Sequence, residues 1–138
     1  MQTRLRERQE KIVQTLTQLA EESAEGVLIV VEGQKDLQAL RSLGISGRIL
    51  PAKAGGKSLN LFLQEIENES PKRVILLLDF DRRGREITLK LKSDLERERI
   101  KPDLTFWRTL HALIGREVQC IESLDSYLRT LDQKTTKM

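Results

Sequence analysis

Asp79 and Asp81, followed at once by Arg82, Arg83 and Arg85, are the residues whose types and spacing could do chemistry. On extended backbone, residues two apart lie on one face. Two carboxylates there repel each other unless a cation sits between them. Magnesium, which takes oxygen ligands and keeps much of its water, suits such a pair, with manganese as the substitute. The planar fork of arginine bonds two phosphate oxygens at once, so Arg82, Arg83 and Arg85 read as contacts for phosphate. They also oppose local stability, because cations in a helix's first turn meet its partial positive charge at a cost of roughly 0.3 kcal/mol each. The plainer alternative is a solvated, charged helix face.

Glu32 closes the apolar run Val27 to Val31 as Asp79 closes Val74 to Leu78. If both runs are neighbouring parallel strands, their carboxyl ends share one crevice, where open α/β sheets bind ligands. Glu32, Asp79 and Asp81 would then form a three-acid cluster, with Asp36 one turn into the next helix as a possible fourth. A lone strand-end acid could equally cap the following helix. The stretch Lys53-Ala54-Gly55-Gly56-Lys57-Ser58 invites comparison with a P-loop, but the motif's first glycine would fall on Pro51. A loop offering Lys53, Lys57 and glycine amides to a phosphate fits better.

The elements that must position these residues follow from periodicity. Residues 2–22 form an amphipathic helix with Leu5, Ile12, Leu16 and Leu19 on one stripe and an Arg-rich start, a solvated face or a nucleic-acid contact. It ends near Gly26. Strands are expected at 27–31, 48–50, 74–78 and 104–106. Helices are expected at 34–43, 58–68 (capped by Ser58), 82–99, 108–114 and 123–131, with a frayed tail from Gln133. Strands alternating with helices predict an α/β fold with a four-stranded, mainly parallel sheet flanked by helices. His111, Tyr127, Phe106 and Trp107 read as structural residues.

With 138 residues, 38% apolar and 33% charged, the chain describes one globular domain without a membrane span. Its opening alternates Arg and Glu, unlike an export leader, so the cytoplasm is the expected compartment. One cysteine, Cys120, and one histidine, His111, exclude an internal disulfide and a Cys/His zinc site. The net charge of +3 is compatible with nucleic acid.

An apolar strand ending in Glu32-Gly33, Asp36 shortly after, and a later strand ending in Asp79-Phe80-Asp81 with Gly84 following resemble the Toprim domain. That domain is shared by topoisomerases, bacterial-type primases and small nucleases. The resemblance covers residues 26–106, leaving an N-terminal helix at 1–25 and a C-terminal helical extension at 107–138. The whole chain is similar to small single-domain Toprim proteins, relatives of the ribonucleases that mature ribosomal RNA. The resemblance implies a Rossmann-like sheet, Glu32 as general acid/base, Asp79 and Asp81 as magnesium ligands, Asp36 supporting a second metal, and Gly33 and Gly84 as structural turns. It lacks a primase's zinc region and a topoisomerase's tyrosine domain.

The function expected is therefore magnesium-dependent phosphodiester cleavage on RNA or DNA. The rival is a non-catalytic nucleic-acid-binding subunit of a ribonucleoprotein or repair assembly, with protein partners. A phosphate-accepting receiver or a dehalogenase-like phosphatase fits less well, because the acidic pair follows the wrong strand for the first. For the second, Arg82 stands where Thr or Val is usual.

Overall fold

The computed structural model describes residues 2–136. Four parallel strands lie in the order β2-β1-β3-β4: β1 Leu28–Val31, β2 Ile49–Pro51, β3 Arg73–Leu76 and β4 Lys101–Asp103. The helices are α1 Gln2–Ala24, α2 Gln34–Ser42, α3 Leu59–Asn68, α4 Arg82–Arg97, α5 Thr105–Ile114 and α6 Leu124–Thr136. None of the described helices is long and apolar enough to cross a membrane.

Strand alternation divides the core in two. Ile29, Val31, Ile49, Ile75 and Leu77 face α1, α2, α5 and α6, where Ile12, Leu19, Leu40, Leu110 and Leu124 meet them. Leu28, Val30, Leu50, Val74 and Leu76 face Phe62 and Ile66 of α3 and Leu91 and Leu95 of α4. Apolar runs without polar interruption are what a sheet covered on both faces demands.

Local signals place most element ends. The Ser58 hydroxyl accepts from Leu61 N at 3.2 Å and opens α3, as its position before an apolar helix suggests. Gly26, at φ 102°, turns the chain between α1 and β1 in a region that favours glycine. Arg73 bonds Glu22 and Asp103 together, tying the end of α1 to β4.

The expected strand at 104–106 is corrected. The strand is Lys101–Asp103, and residues 105 onward are helical. Asp103 Oδ1 accepts from Thr105 N at 2.9 Å, an Asx turn that stops the strand and starts α5. Leu104 and Phe106 then go to opposite cores. Pro102 lies inside β4 and Pro51 ends β2, which is tolerable because both strands are at the sheet's margins. The tail expected to fray from Gln133 continues α6 through Thr136. Its last two residues, 137–138, lie outside the described residues.

Candidate metal and phosphate site at the sheet edge

β1 is paired with β2 on one side and β3 on the other, with Val30 opposite Leu76. α2 covers one face of the sheet and α3 the other. The strand order thus reverses between β1 and β3, and the crevice of an open α/β sheet opens at that reversal, beyond the strands' carboxyl ends. Glu32 stands one residue past β1 and Asp79 three past β3, both at this edge.

Glu32 is 7% exposed. Its Oε2 accepts from Lys53 Nζ at 2.7 Å, while Oε1 is buried with no hydrogen-bond partner among the described residues. A buried acceptor left bare costs about 1–3 kcal/mol, so this position favours an incoming donor or cation. Lys53 N also donates to the Glu32 carbonyl at 3.0 Å, which brings the glycine loop to the edge. Gly55 and Gly56 turn that loop at φ 74° and 65°.

Asp79 is 9% exposed and accepts from Ile121 N through Oδ1 at 3.2 Å. Burial, then the neighbouring charge of Asp36, push its carboxyl up to about 7 against the lowering effect of the Ile121 amide. Glu32 and Asp81 add to the rise. Asp36, 5% exposed, is also raised, chiefly by burial. Its two oxygens bracket separate segments: Oδ2 accepts from Gly33 N at 2.9 Å and Oδ1 from Glu122 N at 2.9 Å.

Asp81 caps α4, accepting from Gly84 N through Oδ1 at 2.7 Å. The cap fixes one oxygen and leaves Oδ2 outside that bond. Gly84 is there for closeness: a Cβ on it would stand 2.2 Å from the Asp79 carbonyl oxygen. The two glycines that were expected to serve turns stand at the bend after β1 and at the start of α4. Gly84 lies inside the first turn of α4, and Gly33 has extended backbone, φ −139°, that any residue adopts.

The basic residues divide. Arg82, 89% exposed, is spent on Glu86 one turn along α4. Arg83 and Arg85 are exposed on the same first turns, open to solvent. Lys53 reaches Glu32, whereas Lys57 is turned back onto α3, paired with Glu65 and near the Phe62 ring. A cavity of about 440 Å³ between α1 and the start of α5 is lined by Glu21, Glu22 and Asp103, a poor place for phosphate.

Sequence reasoning missed the segment after α5. Gln119 O accepts from Phe80 N at 2.7 Å, Ile121 N donates to Asp79 and Glu122 N to Asp36, so residues 119–122 strap the acids from behind. Trp107 Nε1 donates to Leu78 O at 2.9 Å, pinning the backbone just before Asp79. Main-chain amides carry no residue-type signal. The lone tryptophan beside a strand was the one local hint.

The carboxylate oxygens of Glu32, Asp36, Asp79 and Asp81 match a hard cation, and Glu32 Oε1 lacks a partner among the described residues. Among the described residues, no three His, Cys, Asp or Glu side chains form a ready metal cage. The three-acid cluster expected of Glu32, Asp79 and Asp81 is corrected to that extent: the three are not gathered closely enough to hold a metal by themselves.

A family profile described as Toprim domain matches residues 27–109, more than half the chain. The chain belongs to the Toprim family. This ties it, in general terms, to metal-dependent work on nucleic acid. It is 35% identical to a UPF0292 protein of Methanosarcina barkeri over 94% of this chain and 89% of that one. It is 33% identical to a UPF0292 protein of Methanocaldococcus jannaschii, covering 86% and 91%. A solved structure of a protein from Aquifex aeolicus superposes with a TM-score of 0.65 at 28% identity, covering 80% of this chain and 94% of that one. The Toprim match includes Glu32, Asp36, Asp79, Asp81 and Trp107 and ends before the strap at 119–122.

Proposed function

We propose that this Toprim protein is a magnesium-dependent nuclease that cleaves phosphodiester bonds in RNA or DNA, acting in the cytoplasm. The observation that supports this most is Glu32: buried at the sheet's switch point near Asp79, with one oxygen lacking a partner among the described residues. In this reading Asp79 and Asp81 hold the metal through the oxygens their backbone contacts leave over, and manganese can replace it. The chemistry magnesium supplies when bound is charge neutralisation at the scissile phosphate and a more acidic water. Glu32 moves the proton as general acid/base. Lys53, Arg83 and Arg85 meet phosphates, with Arg82 joining if Glu86 releases it. Asp36 positions Asp79 through the strap, and supports a second metal only through lone pairs its amides leave over. In this reading the nuclease unit is residues 26–106, with the helix at 1–25 and the extension at 107–138 as supports.

A second reading has one observation in its favour. The Lys53–Glu32 ion pair, at 2.7 Å, occupies the proton carrier and would suit a non-catalytic nucleic-acid-binding subunit of a larger assembly.

Labelled RNA and DNA panels, incubated with magnesium, manganese or chelator, test both. Metal-dependent cleavage of at least one panel is expected. Binding without cleavage transfers the case to the second reading, and neither binding nor cleavage ends both.

A further inference from the structure

A second cluster of cations lies beside the acid edge and plays no part in the reading above. A pocket of about 450 Å³, a volume within the range of small-ligand sites, is lined by Arg8, His111, Arg116 and Glu117 with Gly115 at its floor. Arg8 comes from the Arg-rich start of α1, His111 from the end of α5, and Gly115, Arg116 and Glu117 from the turn that follows it.

The pocket is built rather than incidental. The His111 ring stacks on Trp107 at 5.8 Å and 13° and lies 5.3 Å from the Phe80 ring, yet the residue is exposed. Gly115 makes that placement possible, since a Cβ there would stand 2.4 Å from the imidazole Cδ2. Arg8 is fixed through one terminal nitrogen, which bonds Glu117 Oε1 at 3.0 Å and the Tyr127 hydroxyl at 3.3 Å. Its Nε–H and second amino group remain outside those bonds. Arg116 is exposed and makes no ion pair among the described residues. Two features oppose an anion: Glu117, and the carbonyl-bearing end of α5. Arg8 offsets the first. Amides of Gly115, Glu117 and Val118 and the Gln119 side chain take up the carbonyls of His111, Ile114 and Gly115.

Phe80 links this pocket to the acids, because it stands between Asp79 and Asp81 in the chain while its ring meets His111. We propose that the pocket is a second phosphate site, taking a backbone phosphate that flanks the one at Glu32 and Asp79 on the same strand. The proposal rests on the nucleic-acid reading of the edge and deepens it: the substrate is an oligonucleotide spanning both sites, not a mononucleotide or dinucleotide. A strand carries a phosphate at every nucleotide, so one that crosses the edge and continues past Phe80 presents a phosphate to Arg116.

The test uses the full chain with a fluorescein-labelled 12-nucleotide single strand and a labelled dinucleotide as probes. Arg116→Glu should weaken the 12-mer by roughly fivefold or more and lower the slope of log affinity against log salt by about 0.7, one single-strand phosphate contact. His111→Ala should weaken the 12-mer in the same direction. Dinucleotide affinity and manganese binding at the acids, read by paramagnetic broadening, should match wild type in Arg116→Glu. A 12-mer affinity and salt slope unchanged in Arg116→Glu overturn the pocket alone. Equal wild-type affinity for both probes does so too. A wild-type protein that binds neither probe removes the nucleic-acid reading of the edge together with this site.

Discussion

The backbone amide of Ile121 donates to Asp79 Oδ1 at 3.2 Å, joining residues 42 apart in sequence. Glu122 N makes the matching bond to Asp36. The acid edge is therefore not the property of β1 and β3 alone: its buried carboxylates are oriented by a segment that follows α5. Each bond also favours the charged form of a carboxylate that burial holds towards the protonated one.

Gly84→Ala should destabilise the fold by about 2–3 kcal/mol or more, although alanine is the better helix former by about 1 kcal/mol. The added carbon would stand 2.2 Å from the Asp79 carbonyl oxygen. Gly33→Ala should be nearly neutral, since its Cβ would meet Asp36 Oδ2 at 3.7 Å on ordinary backbone. Urea midpoints of both variants check the contrast. Equal midpoints would mean that α4 can back away from β3.

Asp36→Ala leaves the amides of Gly33 and Glu122 without their acceptor. A stability loss of about 2 kcal/mol is expected. Manganese affinity should fall less than in Asp79→Asn, as befits a bracket rather than a primary ligand. Calorimetric titration compares the two, and a larger loss in Asp36→Ala would make Asp36 the principal ligand.

Glu32→Gln keeps the shape of the side chain and removes its charge. Folding should survive, and nucleic-acid affinity should stay equal or tighten. Cleavage should fall by about 10²-fold or more, the scale of a positioned acid/base. Unchanged single-turnover rates at saturating magnesium would strip Glu32 of that role.

Stability should depend on pH through Asp79. With metal chelated, its carboxyl holds a proton up to about 7 when folded, against 3.8 for the ordinary group. Between those values the folded state carries the extra proton, so stability falls as pH rises, complete below the unfolded value and lost through about 7. Asp36, also raised, adds to the same slope, while Asp103, lowered, acts oppositely at acid pH. Urea midpoints in chelator should decline across that window in wild type and flatten in Asp79→Asn. Magnesium should restore stability at alkaline pH because it takes the deprotonated form. A flat wild-type profile would contradict the burial argument.

Arg83→Ala should weaken binding of every nucleic-acid sequence alike and flatten its salt dependence by about one phosphate contact. The fold should be unaffected, because the exposed side chain opposes the helix dipole. An unchanged slope would make Arg83 part of a solvated face, as Arg82 with its Glu86 partner already is in the free protein.

Much of this was legible in the sequence because burial leaves a mark on residue types. Val27 to Val31 and Val74 to Leu78 had to be covered on both faces, and neighbouring parallel strands then bring Glu32 and Asp79 to one edge. The start of α5 was not legible: Leu104, Thr105 and Phe106 have the look of a strand, and a single Asx turn at Asp103 overrides it. Not legible either was that the Lys57 ammonium pairs with Glu65 in its own helix layer. The strap was invisible for a deeper reason, since its contacts are made by amides that every residue but proline possesses.

Proline itself has a consequence at the margins of the sheet. Ala52 N donates inward to Val31 O and Lys101 N inward to Lys72 O. Backbone nitrogens alternate in direction along a strand, so those of Pro51 and Pro102, each next to an inward donor, face outward. A further strand approaching β4 would meet a three-residue segment without its outward donor, and one approaching β2 would find Ile49 N as the outward donor left. Each proline thereby takes one donor from an outer strand, which disfavours extension of the sheet by another chain.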